Sequence, residues 1–108
     1  MSKLERAMSN LDKLLAAPKE WTRGTKIYEP LPGDPNADFK HRLINRAANA
    51  MGLAQASRDG LNAKVPLLEN DLFFALNELP EQDVEKRDFL ELLNATQAVL
   101  TAINEAAV

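Results

Sequence analysis

One stretch of the chain sets cations beside aromatic rings. Lys19, Arg23 and Lys26 interleave with Trp21 and Tyr28, the only tryptophan and tyrosine, and Lys40, His41, Arg42 and Arg46 follow on the next helical segment. Arg42 and Arg46 stand one turn apart and can act on one ligand together. Cations for phosphate and rings for base stacking are what a single-stranded nucleic acid or a nucleotide uses. Trp, Tyr and Arg are also the residues that dominate protein interfaces. Glu20, Glu29, Asp34 and Asp38 dilute the positive field, and the whole chain carries a formal charge of -3. We therefore expect Trp21, Arg23, Lys26, Tyr28, Lys40, Arg42 and Arg46 to contact a partner protein. Nucleic acid or a phosphorylated ligand is the alternative, and a structural role for Trp21, plugging one end of the core, is the third reading.

Other chemistries find less support. His41 is the only histidine, and its neighbours Lys40 and Arg42 disfavour both a bound cation and a protonated imidazole. No second histidine stands at metal-ligand spacing. Glu81, Asp83, Glu85, Asp88 and Glu91 crowd the start of the last helical segment, where Glu81 and Glu85, or Asp88 and Glu91, share a face and could pair for acid–base or magnesium work. Negative charge there also complements the positive end of the helix dipole, and Lys86 and Arg87 interrupt the cluster. Leu31-Pro32-Gly33-Asp34-Pro35 reads as a turn and helix start, without the repeated glycines of a phosphate loop. Ser2, Ser9 and Ser57 sit in no nucleophile-elbow pattern. Asn94-Ala95-Thr96 matches a glycosylation sequon, but no secretory feature accompanies it. We expect no enzyme and no cofactor.

Composition sets the frame for those residues. A chain of 108 residues with 45% hydrophobic content can build one core without staples. There is no cysteine, which removes disulfides and thiolate chemistry and fits a reducing, cytoplasmic setting. No apolar run reaches the roughly 18 to 20 residues that span a bilayer. Residues 1–64 hold eleven Lys and Arg against seven Asp and Glu, whereas 65–108 hold two against nine, so the halves carry +4 and -7. Such halves attract one another, within a chain or between chains.

Four helical segments must position all of this. Ser2-Lys3-Leu4-Glu5 has the form of a capping box, and Leu4, Met8, Leu11 and Leu15 follow at helical spacing until Pro18. The second helix is expected from Asp34, with Pro35 at its first position, the stripe Phe39, Leu43, Ala47, Met51 and Ala54, and Gly60 as its cap. Its dense small residues, Ala47, Ala48, Ala50, Gly52, Ala54 and Ala56, allow a neighbouring helix to approach closely. Pro66 is expected to open a third helix carrying Leu68, Leu72, Leu76 and Leu79, stopped by Pro80. The fourth is expected from about Pro80 to Asp83, with Val84, Phe89, Leu92, Leu93, Thr96, Val99, Leu100 and Ile103 on one face.

The pattern predicts an all-α protein: an antiparallel four-helix bundle, or a three-helix bundle plus an N-terminal helix, with helices two, three and four as sequential antiparallel neighbours. The connection 18–34 is longer than ordinary bundle loops and is rich in proline and glycine: Pro18, Pro30, Pro32 and the adjoining Pro35 stiffen it. The expected function is that of a protein-binding adaptor, regulator or inhibitor. The apolar stripe of the fourth helix is wider than one neighbour needs, which predicts self-association as a homodimer or larger homo-oligomer.

Overall fold

Residues 2–16, 33, 35–61, 63–82 and 86–107 are described by a computed structural model of the chain. They form four helices: α1 Lys3–Ala16, α2 Ala37–Arg58, α3 Asn70–Glu78 and α4 Lys86–Ala106, with no strand among the described residues. The molecule is the all-α bundle that the apolar periodicity predicts.

Three of the boundaries have a clear local cause. The Glu5 N–H donates to Ser2 Oγ at 3.1 Å, which caps α1 as the sequence predicts. At the end of α2, Gly60 takes φ +103°. The Gly60 N–H then donates to the Ser57 carbonyl and the Leu61 N–H to the Ala56 carbonyl, both at 3.1 Å, the paired bonds of a Schellman cap. α3 stops because Leu79, held extended at φ -61°, ψ 138°, precedes Pro80.

Two boundaries differ from expectation. α2 begins at Ala37, after the turn residues Pro35 and Asn36, and not at Asp34. α3 begins at Asn70, and Pro66 lies in an extended strap, residues 63–69. Proline disfavours helical geometry at the residue before it, here Val65. Side chains of α4 take two amides of the strap: Val65 N–H donates to Asn104 Oδ1 at 2.7 Å and Leu68 N–H to Gln97 Oε1 at 2.9 Å.

α4 is the hub. It packs against α2, α1 and α3, while α1 also meets α2 and α3 meets α2. Phe89, Leu92, Val99 and Ile103 are buried to within 1% of completely. On α2, the buried residues Ala47, Ala50 and Ala54 give the small face on which a neighbour can close in, whereas Ala48 and Gly52 are exposed. Leu92, Leu93, Val99, Leu100 and Ile103 are all buried within a single chain. The stripe is covered within one chain by three helical neighbours and the strap.

The path of the chain differs from an up–down sequence. Lys3 near the start of α1 pairs with Glu105 near the end of α4, at 2.8 Å, so these helices are antiparallel. Lys40 near the start of α2 lies over Phe89 near the start of α4, and Ala50 and Leu100 farther along line one cleft, so α2 and α4 run parallel. The strap makes the return journey that a helix was expected to make.

Candidate protein-interaction site

The strap leaves an opening beside α2. Arg46, Asn49, Ala50 and Leu53 form one wall, Pro66 to Glu69 form the other, and Leu100 of α4 contributes from below, around a cleft of about 250 Å³. Its lips are apolar and open to water: Leu53 is 41% exposed and Leu67 48%. Leu61, just past the α2 cap, and Phe74, on the outer face of α3, are exposed by about two thirds, at 66% and 67%. Single exposed leucines are ordinary, but two facing each other across a cleft are a contact surface in form.

The polar rim is an ion network. Arg46 donates to Glu69 Oε1 at 2.7 Å, while Arg42 donates to Glu69 Oε2 at 3.1 Å and to Asp71 Oδ2 at 3.3 Å. All four side chains are about half exposed, so the network fixes geometry more than it adds stability. The Arg42 hydrogen bond, with its positive charge, holds the Asp71 carboxyl below its ordinary range. With the Lys3–Glu105 pair, these contacts show the basic half and the acidic half of the chain meeting inside one molecule.

The predicted contact residues divide into three sets. Trp21, Arg23, Lys26 and Tyr28 lie outside the described residues. Lys40 is 1% exposed, its Nζ 5.7 Å from the Phe89 ring centroid, a cation–π contact in the core and not a surface charge. Arg42 and Arg46 are on the surface, as predicted, but engaged with Glu69 and Asp71. The structure thus brings Arg42 and Arg46 together with the cleft and separates Lys40 from them.

Of the acidic cluster at the start of α4, Asp83 and Glu85 lie outside the described residues, and Glu81 and Glu91 are engaged. Lys86, itself buried, donates from Nζ to the Leu79 carbonyl at 2.7 Å and to Glu81 Oε1 at 2.9 Å. That ammonium covers a carbonyl at the end of α3, where a positive charge also suits the helix dipole. Arg87 reaches Glu91 at 3.8 Å along the helix. No group of three or more His, Asp or Glu side chains among the described residues is arranged to hold a metal ion. Ser57 is buried near the end of α2, and its Oγ meets no hydrogen-bond partner among the described residues.

Sequence reasoning missed Leu53, Leu67, Asn104 and Gln97. Asn104 and Gln97 had a signal: two amides seven positions apart, bordering the α4 apolar stripe, on one edge of the helix. Leu67 had none, because Leu67-Leu68 fits a helix as well as a strap.

Comparison of the chain with protein-family models, with curated proteins and with solved structures finds no match. No helix among the described residues is long and apolar enough to cross a membrane.

Proposed function

We propose that this chain is a non-catalytic protein-interaction module, an adaptor, regulator or inhibitor that works by occupying a partner's surface. The observation that carries the reading is the cleft between α2 and the strap, with Leu53 and Leu67 exposed on opposite lips. A partner's aliphatic or aromatic side chain seated there would cover both leucines, and Arg46 and Glu69 would form the polar rim that excludes water around it. The connection carrying Trp21, Arg23, Lys26 and Tyr28 is proposed as a second contact region. With no cysteine in the chain, a reducing compartment such as the cytoplasm suits it.

The nucleic-acid reading loses ground for a specific reason. Of the three described cations it would use, Lys40 is buried and Arg42 and Arg46 are matched to carboxylates. Phosphate contacts would have to displace those partners.

Affinity capture from the native host's lysate tests the proposal, with three baits: the unaltered chain, Leu53→Asp with Leu67→Asp, and Trp21→Ala. Leu53 and Leu67 are exposed, and substitutions at exposed positions leave folding within about 0.5 kcal/mol. We expect one dominant protein on the unaltered bait and its loss from the double variant. Equal recovery on the double variant would overturn the cleft as the contact surface, and nuclease-sensitive recovery of many proteins would support nucleic acid instead.

A further inference from the structure

The strap is bound to the bundle in the manner of a foreign peptide. Burial along residues 63–69 falls on two positions three apart: Val65 is half-buried and Leu68 buried, while Ala63, Lys64, Pro66, Leu67 and Glu69 are exposed. Glu69, the residue that precedes α3, is extended at φ -67° and ψ 143°, and an extended segment makes no internal hydrogen bonds. Its free backbone groups are met by side chains of α4. Asn104 accepts from the Val65 N–H at 2.7 Å and donates to the Val65 carbonyl at 2.9 Å, and Gln97 accepts from the Leu68 N–H at 2.9 Å.

The spacing fits. Seven residues of α-helix span about 10.5 Å and three residues of polyproline II about 9.3 Å, so Gln97 and Asn104 stand in register with Leu68 and Val65 on an antiparallel strap. These bonds recognise backbone, which any extended chain offers. Selectivity comes from the one deep anchor, Leu68, and from Pro66, whose ring holds the segment extended.

The strap enters the groove by a single well-buried side chain, Leu68, and Gly60, the residue that turns the chain out of α2, has open space around it. Beside it the cleft lined by Leu53, Leu67 and Leu100 stays open, a foothold for an incoming chain.

We infer that the groove between α2 and α4 is a peptide-binding site whose resident occupant is the strap, and that its ligand in trans is an extended segment of the form aliphatic-Pro-x-Leu on a partner protein. This rests on the reading of the chain as an interaction module and gives that partner a chemical class. The strap acts as an internal competitor. A tethered segment competes at an effective concentration on the order of millimolar, so a free peptide binds the unaltered chain weakly, in proportion to the fraction of molecules with the groove open.

The test uses the full chain and an acetylated, amidated, fluorescently labelled peptide with the sequence of residues 63–70. It is titrated by polarisation into the unaltered chain, Leu68→Ala and Pro66→Gly. Leu68→Ala removes the resident anchor; Pro66→Gly loosens the strap at an exposed position without touching the core. We expect half-saturation to move to at least tenfold lower peptide concentration in Leu68→Ala and about fivefold lower in Pro66→Gly. On saturation, the side-chain amide signals of Asn104 and Gln97 in nitrogen-15 NMR spectra should return toward their positions in the unaltered chain. Circular dichroism identifies a variant that does not fold, and Pro66→Gly then decides alone. No gain in binding by a folded variant, or binding that leaves those two amide signals where they were, overturns the inference. If it fails while capture still depends on Leu53 and Leu67, the interaction reading stands and only this ligand class falls.

Discussion

Asn104→Leu is the sharpest perturbation of the strap, because it keeps the size of the side chain and removes both of its bonds to Val65. In the folded chain the Val65 N–H and carbonyl are bonded at 2.7 and 2.9 Å in a partly buried place. A fully buried backbone group left without a partner costs about 1 to 3 kcal/mol. Val65 is half-buried, so water reaches it in part and the low end applies to each group, about 2 kcal/mol together. For a domain near 100 residues, each kcal/mol lowers the melting temperature by about 4 to 8 °C, which gives about 8 to 16 °C here. Urea denaturation supplies the free energy and calorimetry the temperature. The Val65 and Leu68 amides should exchange at least about tenfold faster with deuterium, because the strap opens before the bundle does. Lys3→Ala is the control: its pair with Glu105 is exposed on both sides and should be worth less than about 0.5 kcal/mol. A loss below about 0.5 kcal/mol for Asn104→Leu, with unchanged exchange at Val65, would refute the claim that α4 holds the strap through its backbone.

Gly52 sits exposed inside α2 and a Cβ there would meet nothing within 4 Å, so Gly52→Ala should stabilise the chain by about 0.5 to 1 kcal/mol in urea denaturation. Lys86→Met strips the Leu79 carbonyl of its charged donor and should cost about 1.5 to 3 kcal/mol, whereas Glu81→Gln, at a side chain 90% exposed, should cost less than about 0.5 kcal/mol. The Asp71 carboxyl, held low by Arg42, contributes stability that is present above its ordinary value of 3.8 and lost as pH falls through its folded value. NMR titration of that carboxyl should show its midpoint rise toward 3.8 in Arg42→Ala, and an unchanged midpoint would remove Arg42 as the cause.

Helices were legible wherever a 3.6-residue period coincided with a capping signal. Ser2 and Glu5, Gly60, and Leu79-Pro80 mark ends that the structure places at or within a residue of where the chemistry puts them. Pro66 was ambiguous in principle. Proline suits the first turn of a helix and also an extended segment, and the stripe Leu68, Leu72, Leu76, Leu79 continues across the boundary without a break. What decides between them is Asn104 and Gln97, some thirty to forty positions away, and local patterning contains no such information. The same distance hid the fate of the basic patch. Lys40, Arg42 and Arg46 look alike in sequence, yet Phe89 takes the first into the core and Glu69 and Asp71 hold the other two at the surface. The charge split between the halves did carry the answer in outline, since opposite halves of one chain are each other's nearest partners. The width of the α4 stripe matches the three helices and the strap that the fold packs against it.

The central claim is that the cleft between α2 and the strap is where a partner protein binds. It is tested most directly by carbon-13 methyl spectra of the leucines, recorded while the dominant protein recovered by capture is added to the full chain. The account predicts that the Leu53 and Leu67 methyl signals shift or broaden first and at the lowest ratio of partner to chain, while those of the buried Leu72 and Leu92 stay in place. Saturating partner that leaves Leu53 and Leu67 unmoved would contradict it.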